Sequence, residues 1–203
     1  VSAMEVSGPR GVRQSPAMGR PRDSGRDSAI LDATLALLTE LGYEQLSMEA
    51  VAGRSGAAKT TIYRRYRDKA ALVAAAVEYR APATPPQPGG ENLREDLLAL
   101  VTWLARSIAE QEVGLLGALF SGMRTDARLA EEMRRILRRD QTAMTDGLVR
   151  HAAEQLVPGS ATLFAEVAPA VIVHRIVVAG EPCDAAFAAH LVDDILMPLL
   201  RPA

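Results

Sequence analysis

The sequence predicts an all-α fold of about nine helices, with a small N-terminal unit and a C-terminal antiparallel helical bundle. Three observations carry that expectation. Alanine and leucine are abundant while aromatics make up only 4% of the 203 residues, a balance that favours helix over sandwich or barrel. From Ile30 onward apolar residues recur three and four apart, the spacing of one helix face. Proline and glycine clusters at 81–90, 158–159 and 180–182 separate the longest of these stretches. The 48% hydrophobic share is enough to fill a core.

Residues 1–26 hold Gly, Pro, Ser and five arginines with almost no large apolar side chain, so they are expected to form a disordered arm. The first helix carries Ile30, Leu31, Thr34, Leu37, Leu38 and Leu41 on one face, with Asp27 or Ser28 as its cap and Gly42 as its stop. Ser47 caps a second, short helix with Glu49 in its first turn, where the helix dipole favours an acid. Leu46 and Val51 have the spacing of a hydrophobic staple, and Met48, Val51 and Ala52 form one face before Gly56. A third helix runs from about Ala58 to Tyr66. Asp68 caps a fourth that turns Leu72, Val73, Ala76 and Val77 inward.

No helix crosses APATPPQPGG at 81–90, which reads as a linker between a unit at 27–80 and another at 91–203. Beyond it, 92–111 carries Leu93, Leu97, Leu100, Val101, Leu104 and Ile108, and 113–123 follows. The stretch 126–156 carries Leu129, Met133, Ile136, Leu137, Met144 and Leu148, and ends at Pro158-Gly159. The last two helices are expected at 160–180 and 184–200, the second capped by Asp184 and lined by Phe187, Leu191, Ile195, Leu196 and Leu199. Residues 170–179 are rich in β-branched side chains and would pass locally for a strand. A lone strand has nothing to pair with, so helix is the expectation.

Composition excludes several classes of function. The single Cys183 rules out an internal disulfide framework and a cysteine-based zinc site, and His151, His174 and His190 lack metal-ligand spacing. Residues 1–14 have no apolar core of a secretory signal. VAPAVIV at 167–173 is the most apolar run and stops at His174-Arg175, short of the ~18 residues of a spanning helix. The expectation is a soluble, cytoplasmic protein without a membrane partner. No nucleophile–base pair, carboxylate dyad or phosphate loop stands out, so neither catalysis nor a cofactor is expected. Cys183 beside Pro182 invites a redox switch, but no basic neighbour in sequence would stabilise a thiolate, which favours an inert thiol.

Charge is uneven: the net −2 divides into +3 over residues 1–80 and −5 over 81–203. Within 54–80 seven basic residues face only Asp68 and Glu78. Such a stretch is either a solvated helix surface or the footprint of a polyanion. Only two of the 23 basic residues are lysines, Lys59 and Lys69, and both fall in this stretch.

Residues 47–72, SMEAVAGRSGAAKTTIYRRYRDKAAL, decide between those readings. A short helix, a glycine turn and a second short basic helix make a helix-turn-helix. Ala52, Gly56 and Ala57 allow close approach across the turn, and Ile62 and Tyr66 anchor the second helix inward. Lys59, Thr60, Tyr63 and Arg64 are left outward, all residue types that read bases or grip phosphates in a major groove.

This segment resembles the TetR family of transcriptional regulators. The family pattern runs without a gap through Ser47, Val51-Ala52, Ser55-Gly56-Ala57-Ala58, Thr61-x-Tyr63-x-x-Tyr66 and Lys69, and Leu41-Gly42-Tyr43 is similar to the end of the family's first helix. About 50 residues match closely. Ala58 departs from the usual serine cap, Thr60 stands where glycine is common, and Arg67-Asp68 replaces a frequent Pro-Ser. The resemblance implies a ligand-responsive repressor on double-stranded operator DNA. It implies that Thr61, Tyr63 and Lys69 hold phosphates while Lys59, Thr60 and Arg64 face bases, with Ser47 opening the motif. Gly19-Arg20-Pro21-Arg22 is similar to half an AT-hook, so Arg20 and Arg22 either enter a minor groove or belong to a basic solvated tail.

The resemblance further implies a homodimer built on the last two helices, with Phe164, Val171, Ile172, Arg175, Leu191 and Ile195 as candidates, and hence a palindromic operator. It implies a small-molecule cavity, for which Trp103, Arg106, Phe120, Met123, Met144 and His151 are candidates, although such residues at helical spacing also serve as plain core. A helical carrier or protein-interaction adaptor with a vestigial helix-turn-helix is the competing class. It leaves the exposed Lys59, Thr61, Tyr63 and Lys69 without a purpose.

Overall fold

The computed structural model describes residues 24–80, 84–89, 92–111 and 113–201; residues 1–23, and with them Arg20 and Arg22, lie outside the described part. Among the described residues there are nine helical rods and no strand. They are α1 (Ser24–Gln45), α2 (Met48–Ser55), α3 (Lys59–Arg65), α4 (Lys69–Arg80), α5 (Leu93–Ala109), α6 (Val113–Thr125) and α7 (Ala127–Ala152). Then come α8 (Ser160–Val178) and α9, which begins as Ala185–His190 and continues through Leu191–Leu196 to Met197–Leu200.

Local chemistry explains the boundaries. The Ser47 hydroxyl accepts from Ala50 N at 3.1 Å, Asp68 Oδ1 from Ala71 N at 2.8 Å, and Asp184 Oδ1 from Phe187 N at 2.8 Å, each satisfying a free amide of a first turn. Leu46 and Val51 are both buried, as their staple spacing requires. Gly56 ends α2 at φ +68°, and Gly42 breaks α1 at φ +78°, both in the left-handed region where a side chain would be strained. No side chain caps α3 at Ala58, the weak start expected of alanine there. The sequence reading missed Asn92, whose side chain caps α5 by accepting from Arg94 N at 3.1 Å.

Two expectations at the ends of helices need correction. Helix α1 starts at Ser24, upstream of the expected caps, so residues 24–26 are helical rather than part of an arm. Ser28 donates to Gly25 O at 3.1 Å within the first turn instead of capping it. The second correction concerns α8. Its 19 residues have a mean hydropathy of 1.7 in the most apolar window, long and apolar enough to cross a membrane. Glu166, His174 and Arg175 interrupt the run in sequence, but the surrounding Val, Ile, Leu, Phe and Ala keep its average high. The β-branched 170–179 is helical as expected, although His174–Val178 widens to a π-helical turn after Pro169.

Packing forms two hydrophobic cores. One joins α1–α4, including Ile30, Leu38, Val51, Ile62 and Leu72, with Leu115 of α6 and Leu129, Met133 and Ile136 of α7. The other joins Leu93, Leu97 and Leu100 of α5, Leu148 of α7, Phe164 and Ile172 of α8, and Leu191, Leu196 and Leu200 of α9. Helix α7 contributes to both, so one continuous helix runs from the helix-turn-helix unit into the C-terminal bundle. In the connection between α4 and α5, Pro88 is buried, and a Cβ on Gly147 of α7 would meet its ring at 3.3 Å.

Candidate nucleic-acid interface

Helix α3 is positioned by one apolar anchor. Ile62 is fully buried and Tyr66 half-buried against the N-terminal core. With that side fixed, Lys59, Thr60, Tyr63 and Arg64 are exposed, Thr61 is half-buried, and Ser47 at the start of α2 is half-buried with its hydroxyl used as a cap. The helix-turn-helix thus presents one outward row of cationic and hydroxyl-bearing side chains.

Ion pairs sort the basic residues of this unit. Arg54 makes a bidentate pair with Glu40 at 3.0 and 2.7 Å, tying α2 to α1. Arg65 pairs with Asp27, tying the end of α3 to the start of α1. Arg67 reaches Glu132 at 3.0 Å, and Arg128 of α7 reaches Asp68 at 3.1 Å. Several arginines therefore brace the unit through ion pairs, although Arg54, Arg67 and Arg128 stay exposed while doing so. Tyr63 donates to Glu49 Oε1 at 2.9 Å, and Lys59 Nζ lies 4.0 Å from the same oxygen. The Glu49 carboxyl is held below its usual range by its own backbone amide and by the Tyr63 hydroxyl; the Tyr63 phenol is pushed up in return.

Lys69 stands at the first residue of α4, but its ammonium is turned inward. It donates to the Tyr43 carbonyl at 2.8 Å and lies 4.1 Å over the Tyr43 ring. Tyr43 in turn donates to Asp126 Oδ2 at 2.6 Å. The other Asp126 oxygen caps α7, accepting from the amides of Arg128 and Leu129 at 2.9 and 3.3 Å. A Cβ on Gly122 of α6 would fall 2.6 Å from Tyr43 Cγ and 2.8 Å from Leu129, so α6 lies directly on the ring. Burial is the main reason the Tyr43 phenol is pushed far up, with the Asp126 bond adding to it. One residue therefore touches Lys69, α6 and the cap of α7.

The residues assigned to a ligand cavity are not gathered into one. Trp103 and Arg106 line a groove of about 570 Å³ with Thr84, Pro86, Leu98 and Thr102. Phe120 is exposed on α6, Met123 packs on the N-terminal core, and Met144 is buried in α7. His151 lies in α7, and its side chain is outside the described part. The dimer candidates also separate. Phe164, Ile172 and Leu191 are fully buried in their own chain's core and cannot be offered to a partner. Val171 is half-buried, and Arg175 is occupied by the Phe187 ring at 3.9 Å and the Pro182 carbonyl at 2.8 Å. Ile195 faces outward at 40% exposure. Periodicity identifies an apolar helix but not which side of it packs on its own chain. Arg175 also supplies the basic neighbour that the sequence hid from Cys183, yet burial outweighs it and pushes the thiol up.

A helix-turn-helix whose second helix turns a basic row outward, mounted on a larger helical bundle, defines a DNA-binding regulator. Residues 30–76 match the bacterial regulatory proteins of the tetR family, and residues 87–195 match the tetracyclin repressor-like C-terminal domain. A DNA-binding transcriptional repressor TetR of Mycobacteroides abscessus is 35% identical over 187 residues, covering 89% of this chain and 97% of that protein. An uncharacterised HTH-type transcriptional regulator of Mycobacterium bovis is 32% identical over 190 residues, covering 89% and 93%. Among solved structures, Salmonella enterica GusR superposes with a TM-score of 0.68 at 17% identity, over 88% of this chain and 97% of that one. The SmeT–triclosan complex gives 0.62 at 21%, over 87% and 92%. The chain belongs to the TetR family and is a DNA-binding transcriptional regulator.

Proposed function

We propose that the protein is a homodimeric repressor, cytoplasmic and without catalytic activity, released from a palindromic operator by a small molecule. Its working parts are a helix-turn-helix unit at 27–80 and a sensing and dimerisation unit at 91–203. The exposed row Lys59, Thr60, Tyr63 and Arg64 on α3 carries the reading. Thr61 and Lys69 add phosphate contacts; Lys69 reaches a phosphate by leaving the Tyr43 carbonyl. A repressor among the relatives and a ligand-bound structure among the neighbours support repression and effector release.

Dimerisation rests on α8, of whose most apolar window only 28% is buried within the chain. The groove at Trp103 and Arg106 is the best-supported effector site: mostly apolar, with the Arg106 guanidinium and the Glu95 carboxylate as its charged groups, a lining suited to an apolar ligand with a few polar atoms. A ligand there releases DNA only if it binds more tightly to a state whose two α3 helices are wrongly spaced.

Fluorescence anisotropy on the DNA upstream of the protein's own gene tests the reading. Salt-sensitive binding with two chains per site is expected, and Lys69→Ala should weaken all duplexes alike while lowering the salt slope by ~1. Absence of salt-sensitive binding would return the chain to the carrier or adaptor class.

A further inference from the structure

The surface that α2 and α3 turn outward is not uniformly basic. Glu49, in the first turn of α2, is exposed and touches two groups of α3: the Tyr63 hydroxyl at 2.9 Å and the Lys59 ammonium at 4.0 Å. The dipole of α2 accounts for an acid in this turn. It does not account for a hydrogen bond and a charge contact across to the helix that faces DNA. A carboxylate here opposes approaching phosphates and occupies two of the groups that would bind them.

We propose that Glu49 is a specificity-determining residue, an internal phosphate mimic that yields Lys59 and Tyr63 only to DNA able to replace it. This rests on the DNA-binding reading above and deepens it. Any duplex offers phosphates to Tyr63 and also to Lys59, whose ammonium can take a phosphate where no base edge suits it. Once they leave, the carboxylate is stranded against DNA unless a donor meets it, and the major groove supplies one, the N4 amino group of cytosine. The predicted operator therefore places a C·G pair opposite the start of α2, and DNA lacking it is bound weakly.

The test compares a short random-sequence duplex with the tightest duplex that the wild-type protein selects from the same random pool. Glu49→Gln keeps an acceptor for Tyr63 and removes only the charge, so Lys59 is the group released. It should bind the random duplex about two- to fivefold tighter with a salt slope steeper by about 0.9, and prefer the selected duplex by a smaller ratio. A gain of affinity cannot be mimicked by unfolding. In a Lys59→Ala background the gain should shrink, because the ammonium is no longer there to release and only the relief of repulsion remains. A gain of equal size with and without Lys59 would show bare repulsion and overturn the proposal. So would unchanged or weaker binding of the random duplex by Glu49→Gln. Wild-type protein that binds neither duplex would defeat the DNA-binding reading itself, before any variant is compared.

Discussion

The two hydrophobic cores are finished in different ways. The N-terminal core closes itself: Tyr43, Gly122 and Leu129 meet with no room for a methyl group. Its rim is laced by Arg67–Glu132, Arg128–Asp68 and the pairs from Glu78 to Arg135 and Arg139. The C-terminal core is equally well covered at its centre, where Phe164, Ile172 and Leu191 are fully buried. Its outer helices nevertheless leave Leu163 at 44%, Val178 at 71% and Ile195 at 40% exposure. One chain therefore builds a core whose rim is laced by ion pairs and a second whose outer helices α8 and α9 leave apolar surface, although Leu41, Phe120 and Leu137 around the first are exposed as well. The first core anchors the DNA-facing helix through the buried Ile62. On the homodimer proposed above, the outer side of the second core is what another chain would cover.

The largest effect should come from the centre of the C-terminal core. Phe164→Ala deletes a fully buried ring and should cost about 3–5 kcal/mol, seen as a fall in melting temperature of roughly 10 °C. A shift of only a degree or two would mean that this core is loosely packed throughout. In the N-terminal core Gly122→Ala puts a Cβ within 2.6 Å of a ring whose hydroxyl is held by Asp126. The ring cannot swing away freely, so a loss of about 1–3 kcal/mol is expected from denaturant midpoints. Gly117, exposed on the same helix with nothing within 4 Å of a built Cβ, is the control. There alanine should stabilise by about 0.5–1 kcal/mol through helix propensity.

The contrast between these cores was only partly legible in the sequence. The helices were readable because caps such as Ser47, Asp68 and Asp184 and stops such as Gly42 and Gly56 act within a few residues of themselves. The outward row on α3 was readable for a similar reason: anchoring Ile62 fixes the remaining faces of so short a helix. The Tyr43–Asp126 bond spans 83 residues, and nothing local to either residue announces it. The same holds for Lys69, whose place at a helix start suggested a phosphate while its ammonium rests on Tyr43. In α8, apolar residues on most sides hid which of them, Phe164 or Leu163, faced the chain's own core.

The next effect is smaller and depends on pH. The Asp126 carboxyl is held below its usual range, chiefly by the Tyr43 hydroxyl, with burial opposing and the α7 amides adding to it. A depressed carboxyl stabilises the folded state above its unfolded pKa, and that contribution is lost as pH falls through the folded value. Tyr43→Phe should therefore cost about 1–2 kcal/mol at neutral pH. The gap to wild type should narrow below about pH 4 as the carboxylate is protonated in both proteins. A gap that stays constant across the acid range would assign the loss to packing of the ring and remove the charged hydrogen bond from the account.

The smallest effect on the chain itself should come from the outer side of the second core, and it is the most direct test of the comparison. Val178 is already mostly in water at 71% exposure, so Val178→Glu should alter the stability of one chain by no more than about 0.5 kcal/mol. If α8 is covered by a second copy, the same substitution buries a carboxylate with no partner and should convert the protein to single chains, read by light scattering during size exclusion. Val113→Glu, at a site 55% exposed at the start of α6, carries the same charge onto the same kind of surface and should leave the oligomer intact. Because a dimer sets the distance between two α3 helices, Val178→Glu should also lose binding to a full operator while keeping weak binding to a half-site. A Val178→Glu protein that remains dimeric and binds the full operator normally would show that this exposed face of α8 is ordinary surface, and that the interface lies elsewhere.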